Sequence, residues 1–196
     1  MSNEWGITLP SLLIAHRFPG VDMIREATAA DAPAIARVHV ESWRTTYRGI
    51  VPDEALANLS TERRERFWAA VLSKPDSPEF VYIAEDDTGA AIGFASGGPE
   101  REDNPAYTGE LYAIYLLAGR QGKGIGRHLA WMVAERLAAA GHETMLVWVL
   151  AENPACRFYA ALGGVPVREK QITIGGTSLT EVAYGWSDTR AIRQRR

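Results

Sequence analysis

The chain has one cysteine, Cys156, among its 196 residues. No internal disulfide can form, so a reducing, cytoplasmic setting is expected. The four histidines, His16, His39, His128 and His142, are scattered and show no metal-ligand spacing with each other or with the cysteine, so no metal is expected. Charge of one sign is not in large excess: the formal net charge is -3 and the pI near 5.8, which offers a phosphate backbone no overall attraction, so nucleic acid is not an expected partner on charge alone. No apolar run approaches the roughly 20 residues that span a bilayer. The short LPSLLIA stretch lacks both a preceding basic region and a following small-residue cleavage site, so neither membrane nor secretion is expected. Repeats and low-complexity tracts are missing as well.

What is present is 46% hydrophobic and 23% charged sequence, enough for one globular domain with a real core. Residues 1–22 carry no clear period and close on Phe18-Pro19-Gly20, so they read as an N-terminal extension, with Met23 as a candidate start. The domain is expected over 23–187, followed by a basic tail, 188–196.

Strand-like MIREAT begins at Met23. Asp31 can cap a helix with Pro33 in its first turn and Ile35, Val38 and Ser42 on one side, running toward Trp43. After the Gly49–Pro52 break, Ser60 opens a second helix that stops near Lys74-Pro75. FVYIAE (80–85) and AIGFAS (91–96) flank turn residues and read as a hairpin. TGELYAIYLL (108–117) is strand-like, and from about Gly124 a helix puts Ile125, Leu129, Met132, Val133 and Leu137 on one stripe. TMLVWV (144–149) is an apolar strand, and Asn153-Pro154 opens a helix through Leu162. Strands at about 165–174 and 177–186 join through Gly175-Gly176.

The run Gln121-Gly122-Lys123-Gly124-Ile125-Gly126 lies between a strand and a helix. There, successive N–H groups and the positive helix end can face an anion, and glycines let its backbone come close. It is not the NTPase loop, which needs GxxxxGK and then Ser or Thr, since Lys123 falls between two glycines. Nor is it GxGxxG: counting from Gly124 the third position is Leu129, and counting from Gly122 it is Arg127.

The run does fit Gln/Arg-x-x-Gly-x-Gly/Ala, and with the strand LYAIYLL, the helix GRHLAWMVAERLAAAG, the strand MLVWV and ENPACRFYAALGG it resembles the GNAT superfamily of N-acetyltransferases over roughly residues 23–186. Two departures, Ala118-Gly119 where a proline is common and Val165 where phenylalanine is common, touch no chemistry. The resemblance implies an α/β (α+β) fold: a central, mixed, mostly antiparallel seven-stranded sheet flanked by about four helices. It implies acetyl-CoA as co-substrate, held by Ile114, Tyr115, Leu116, Arg120, Gln121, Gly122, Lys123, Gly124, Ile125, Gly126, Arg127, Asn153, Arg157 and Tyr159.

It also implies attack within a ternary complex. Glu110 would be the base for an amine whose neutral form is scarce at pH 7, the Leu116 N–H would stabilise the oxyanion on a bulged, splayed strand, and Tyr159 would protonate the thiolate. In a regular pleat Glu110, Tyr112, Ile114 and Leu116 share one face. Trp43, Tyr47 and Tyr112 are acceptor contacts by the same resemblance, although core packing explains the aromatics equally well. An acyl-cysteine route through Cys156 has no sequence-local base. The acceptor is a small-molecule or peptide amine, hinted to be cationic by Glu41, Glu100, Glu102 and Asp103. A longer acyl group, a homodimer and a non-catalytic acyl-CoA sensor stay open.

Overall fold

The computed structural model of the chain describes residues 16–18 and 21–192. β-branched and aromatic stretches make seven long strands: β2 (Val21–Glu26), β3 (Phe80–Glu85), β4 (Ala91–Pro99), β5 (Gly109–Leu116), β6 (Met145–Leu150), β7 (Val165–Ile174) and β8 (Thr177–Trp186). A three-residue strand, β1 (His16–Phe18), lies beside β2 at the sheet edge. The sheet order is β1-β2-β3-β4-β5-β6-β8-β7, antiparallel except between β5 and β6. This is the GNAT-like architecture expected, with β1 added. The reading of residues 1–22 as an extension falls largely outside the described residues.

Among the described residues, five α-helices cover the sheet where about four were expected: α1 (Ala32–Thr46), α2 (Asp53–Ala57), α3 (Thr61–Leu72), α4 (Ile125–Ala139) and α5 (Ala155–Ala161). The addition is α2, five residues after Pro52, too short for a period to register. The Ser60 hydroxyl caps α3 as expected, accepting from the Arg63 N–H at 3.1 Å. Asp31 does not cap α1 with its side chain. Its carboxylate turns back to the Thr28 N–H at 2.7 Å and to Arg25 at 2.7 Å, because a guanidinium within reach outbids a helix amide.

On one face the α4 stripe Ile125, Leu129, Met132, Val133 and Leu137 is buried in one core cluster with Ala95, Leu111, Met145 and Val147. On the other, Ile35, Ala36 and Val38 of α1 and Trp68 of α3 pack on Val81, Ile83 and Phe94. Each of the larger aliphatic side chains among these contributes roughly 1.5–3 kcal/mol by leaving water, which fixes both helix layers to the sheet. The β7–β8 hairpin reaches over a third cluster, in which Ile172, Ile174 and Leu179 meet Tyr47, Val51, Leu56 and Leu150. Its turn, with Gly175 at φ 56° and Gly176 at φ 81°, lies against Ala55 of α2.

Candidate active site

The site begins with an irregularity in β5. Ser96 pairs with Ala113 and Gly97 with Leu111, leaving Tyr112 as the extra residue of a bulge. The alternation of side chains therefore inverts at Tyr112. Leu111, Ile114 and Leu116 join the α4 layer, whereas Ala113 and Tyr115 join the α1–α3 layer. Glu110, next to Leu111, takes the opposite face from it. The strand is bulged, as the resemblance implies, and the face that a regular pleat would give is lost: Glu110 does not share a face with Ile114 and Leu116.

β5 and β6 pair only at Gly109–Met145 and Glu110–Leu146 and then separate. The Leu117 N–H donates to the Ile92 carbonyl at 3.0 Å, which makes Ile92–Leu117 a hydrogen-bonded pair. In the antiparallel alternation Leu116 opposite Gly93 and Ile114 opposite Ala95 are then non-hydrogen-bonded positions, so their N–H and C=O groups point away from β4, toward the opening. The Gln121 side chain donates to the Leu116 carbonyl at 3.1 Å, tying the glycine loop to the strand end.

The loop reaches α4 through Gly122 at φ 74° and Gly124 at φ 86°, a conformation that disfavours any side chain, and no atom lies within 4 Å of where a Cβ would stand on either. Gly124 precedes α4 with no side-chain cap, so the first amides of the helix face outward. The opening between β5, β6, this loop and α5 is a cleft of about 640 Å³. Of the residues expected to hold acetyl-CoA, Ile114, Tyr115, Leu116, Gln121, Gly122 and Gly124 line it, as do Gly126, Arg127, Asn153 and Tyr159. Four do not. Arg120 is ion-paired with Asp86 at 2.6 Å, Ile125 is buried in the core, and Lys123 and Arg157 are exposed outside the lining.

Across the cleft, Asn153 is buried and its Oδ1 accepts from the Ala155 N–H at 2.9 Å, bracing the start of α5. Tyr159 is 5% exposed, its ring 5.2 Å from Phe158 and 6.0 Å from Tyr184. Burial, with Tyr115 and Cys156 adding to it, holds its phenol well above the ordinary tyrosine range. Tyr47 is raised in the same way, by burial first.

A second cavity of about 440 Å³ adjoins the cleft and shares Tyr47, Tyr112, Tyr115 and Trp148 with it. Trp43 and Glu110 line this one alone. Glu110 is 1% exposed and bound by Arg101: Nε donates to Oε2 at 3.1 Å, the Arg101 backbone N–H to Oε2 at 3.3 Å, and Nη2 to Oε1. The Arg101 guanidinium also stacks 4.1 Å over the Tyr112 ring. Tyr112 donates to the Pro99 carbonyl at 2.6 Å, and burial, foremost, pushes its phenol up to about 12. From the hairpin, the Lys170 ammonium sits 3.9 Å over Trp148 and pairs with Glu102 and, at 3.7 Å, with Glu181. Burial raises the Glu181 carboxyl despite that lysine.

Arg101, Trp148, Lys170 and Glu181 were not foreseen as site residues. Only Trp148, interrupting an apolar strand, carries a local signal, because the others meet through pairings across the chain. Among the described residues no group of three or more His, Cys, Asp or Glu could hold a metal ion, and no helix is long and apolar enough to cross a membrane.

Residues 37–163 match the family model described as Acetyltransferase (GNAT) family. The chain is 44% identical over 170 residues to the uncharacterized N-acetyltransferase YuaI of Bacillus subtilis, covering 87% of this chain and 95% of that protein. It is 25% identical over 132 residues to an L-methionine sulfoximine/L-methionine sulfone acetyltransferase of Pseudomonas aeruginosa, covering 67% and 73%. The fold superposes on PaiA N-acetyltransferase of Thermoplasma acidophilum, solved in complex with coenzyme A, with a TM-score of 0.64 at 23% identity over 81% of this chain and 96% of that one.

Proposed function

Because the chain belongs to the acetyltransferase (GNAT) family, we propose that it moves the acetyl group of acetyl-CoA to a primary amine of a small molecule or peptide, by direct attack in a ternary complex in the cytoplasm. The observation that carries this reading is the opening of β5 from β6. It leaves the Ile114 backbone groups and the Leu116 N–H turned to the cleft beside a bare glycine loop at the head of α4, with Tyr159 on the opposite wall.

These residues fit coenzyme A. The glycine amides and the helix start suit its pyrophosphate, and Arg127 lies at the same wall. The strand edge of β5 suits the amide groups of the pantetheine arm. The Leu116 N–H would then stabilise charge on the thioester oxygen, an effect worth roughly 3 kcal/mol in comparable sites. Tyr159, kept protonated by burial, would donate to the departing sulfur. Glu110 would take the proton of the amine once Arg101 has moved off it.

The adjoining cavity, aromatic-walled and carrying both signs of charge, would take the acceptor. Thiol release from acetyl-CoA, measured over a panel of amines, tests the reading. Acceptor-dependent release is expected, and tight acetyl-CoA binding without it would assign the chain to a sensing role instead.

A further inference from the structure

We propose that the acceptor carries a carboxylate beside its amine, and that binding this carboxylate draws Arg101 away from Glu110 and opens the base. The inference rests on the acetyl-transfer reading and names the class of its second substrate. It starts from the asymmetry of the Arg101–Glu110 pair: the arginine side chain is 56% exposed while the glutamate side chain is 1% exposed. The guanidinium therefore lies on the open side of the carboxylate and engages both of its oxygens. A cation in that place repels an incoming ammonium and fills the approach through which a proton would leave it. The pair has to open for Glu110 to act.

A guanidinium leaves a buried carboxylate readily only for another anion that matches its fork. The unspent donors of Arg101 suit such an anion. Each lining carboxylate, Glu102, Glu110 and Glu181, already has a cation against it. Arg101 has capacity left: of its five side-chain N–H donors it spends two on Glu110, and more than half of its side chain is exposed to an incoming group.

The Tyr112 ring under Arg101 supplies the path, since a planar guanidinium keeps its stacking contact while it swings across an aromatic face. With the carboxylate on Arg101, the amine of the same molecule is brought beside the uncovered Glu110. Trp43, Tyr47 and Tyr115 remain to wall the carbon skeleton.

The test uses matched sets, each made of an L-amino acid, its amide and its decarboxylated amine, with thiol release from acetyl-CoA as the readout. For the wild-type protein, kcat/KM for the acid is expected to exceed that for amide and amine by tenfold or more. Arg101→Gln should bring the acid-to-amide ratio within about threefold of unity, chiefly by loss on the acid, and Arg101→Lys should retain part of the preference. Because the ratio compares substrates on one protein, partial unfolding of a variant cancels. Amides or amines matching the acids in wild type, or an unchanged ratio in Arg101→Gln, overturns the inference alone. Absence of release with every member of every set removes the acetyl-transfer reading and the inference with it.

Discussion

Replacing Tyr159 by phenylalanine removes one hydroxyl from a ring that is 5% exposed and leaves its contacts with Phe158, Tyr184 and Trp186 in place. The loss of stability is therefore bounded by one hydrogen bond, about 1 kcal/mol, or roughly 2–4 °C in Tm for a domain of this size. The kinetic loss should be far larger, because a positioned acid supplies about 10²–10⁴-fold, or some 2.7–5.4 kcal/mol of barrier. Acetyl transfer is best followed in a single turnover at saturating acetyl-CoA and amine, so that product release cannot mask the chemistry. Burial raises the phenol above its ordinary value, so it stays protonated at neutral pH, and no loss of wild-type rate from its ionisation is expected below about pH 10. A variant that folds, binds acetyl-CoA and transfers within about threefold of the wild-type rate would refute the acid role.

Other outcomes are equally specific. Gly124→Ala forces a side chain to φ 86°, costing about 1–2 kcal/mol, and should lower Tm by a few degrees while raising the acetyl-CoA Kd tenfold or more, by calorimetry. Arg127→Ala should weaken acetyl-CoA several-fold at low salt and less at high salt, whereas Arg120→Ala, which breaks only the half-exposed pair with Asp86, should have a smaller effect. His39 is buried, accepts from the Trp68 indole N–H at 3.3 Å, and has its pKa lowered to about 3, by burial first and Arg64 second. The folded state therefore binds fewer protons than the unfolded one between about pH 6.5 and 3, so stability from this group is complete above 6.5 and falls with decreasing pH. By pH 4.5 the loss approaches about 2.7 kcal/mol at most, and His39→Gln should flatten the Tm–pH curve there.

The elements were legible wherever a period ran long enough. The α4 stripe and the hairpin strands 165–174 and 177–186 lie where the sequence puts them, because burial on one face and a Gly-Gly turn are local signals. The bulge at Tyr112 was not legible from the residues, since alternation continues through LYAIYLL and only the register against β4 reveals the extra residue. Acid residues of the 97–108 loop suggested a cationic acceptor. In the fold Glu102 is taken up by Lys170, 68 residues away, and Arg101 closes on Glu110. Charge in that loop was visible, but its pairing depends on where β7 and β8 come to rest.

The opening between β5 and β6 also sets a pattern in time. Along β5, Ala113 and Tyr115 occupy the hydrogen-bonded positions against β4, whereas Ile114 and Leu116 direct their amides into the cleft. In one short strand, protected and unprotected amides therefore alternate. Without ligand, Ile114 and Leu116 should exchange hydrogen with solvent far faster than the residues between and before them, despite sitting in mid-sheet. A molecule that bonds to this edge slows those two positions and leaves their neighbours almost unchanged, so two backbone amides report occupancy of the cleft whatever amine is finally acetylated.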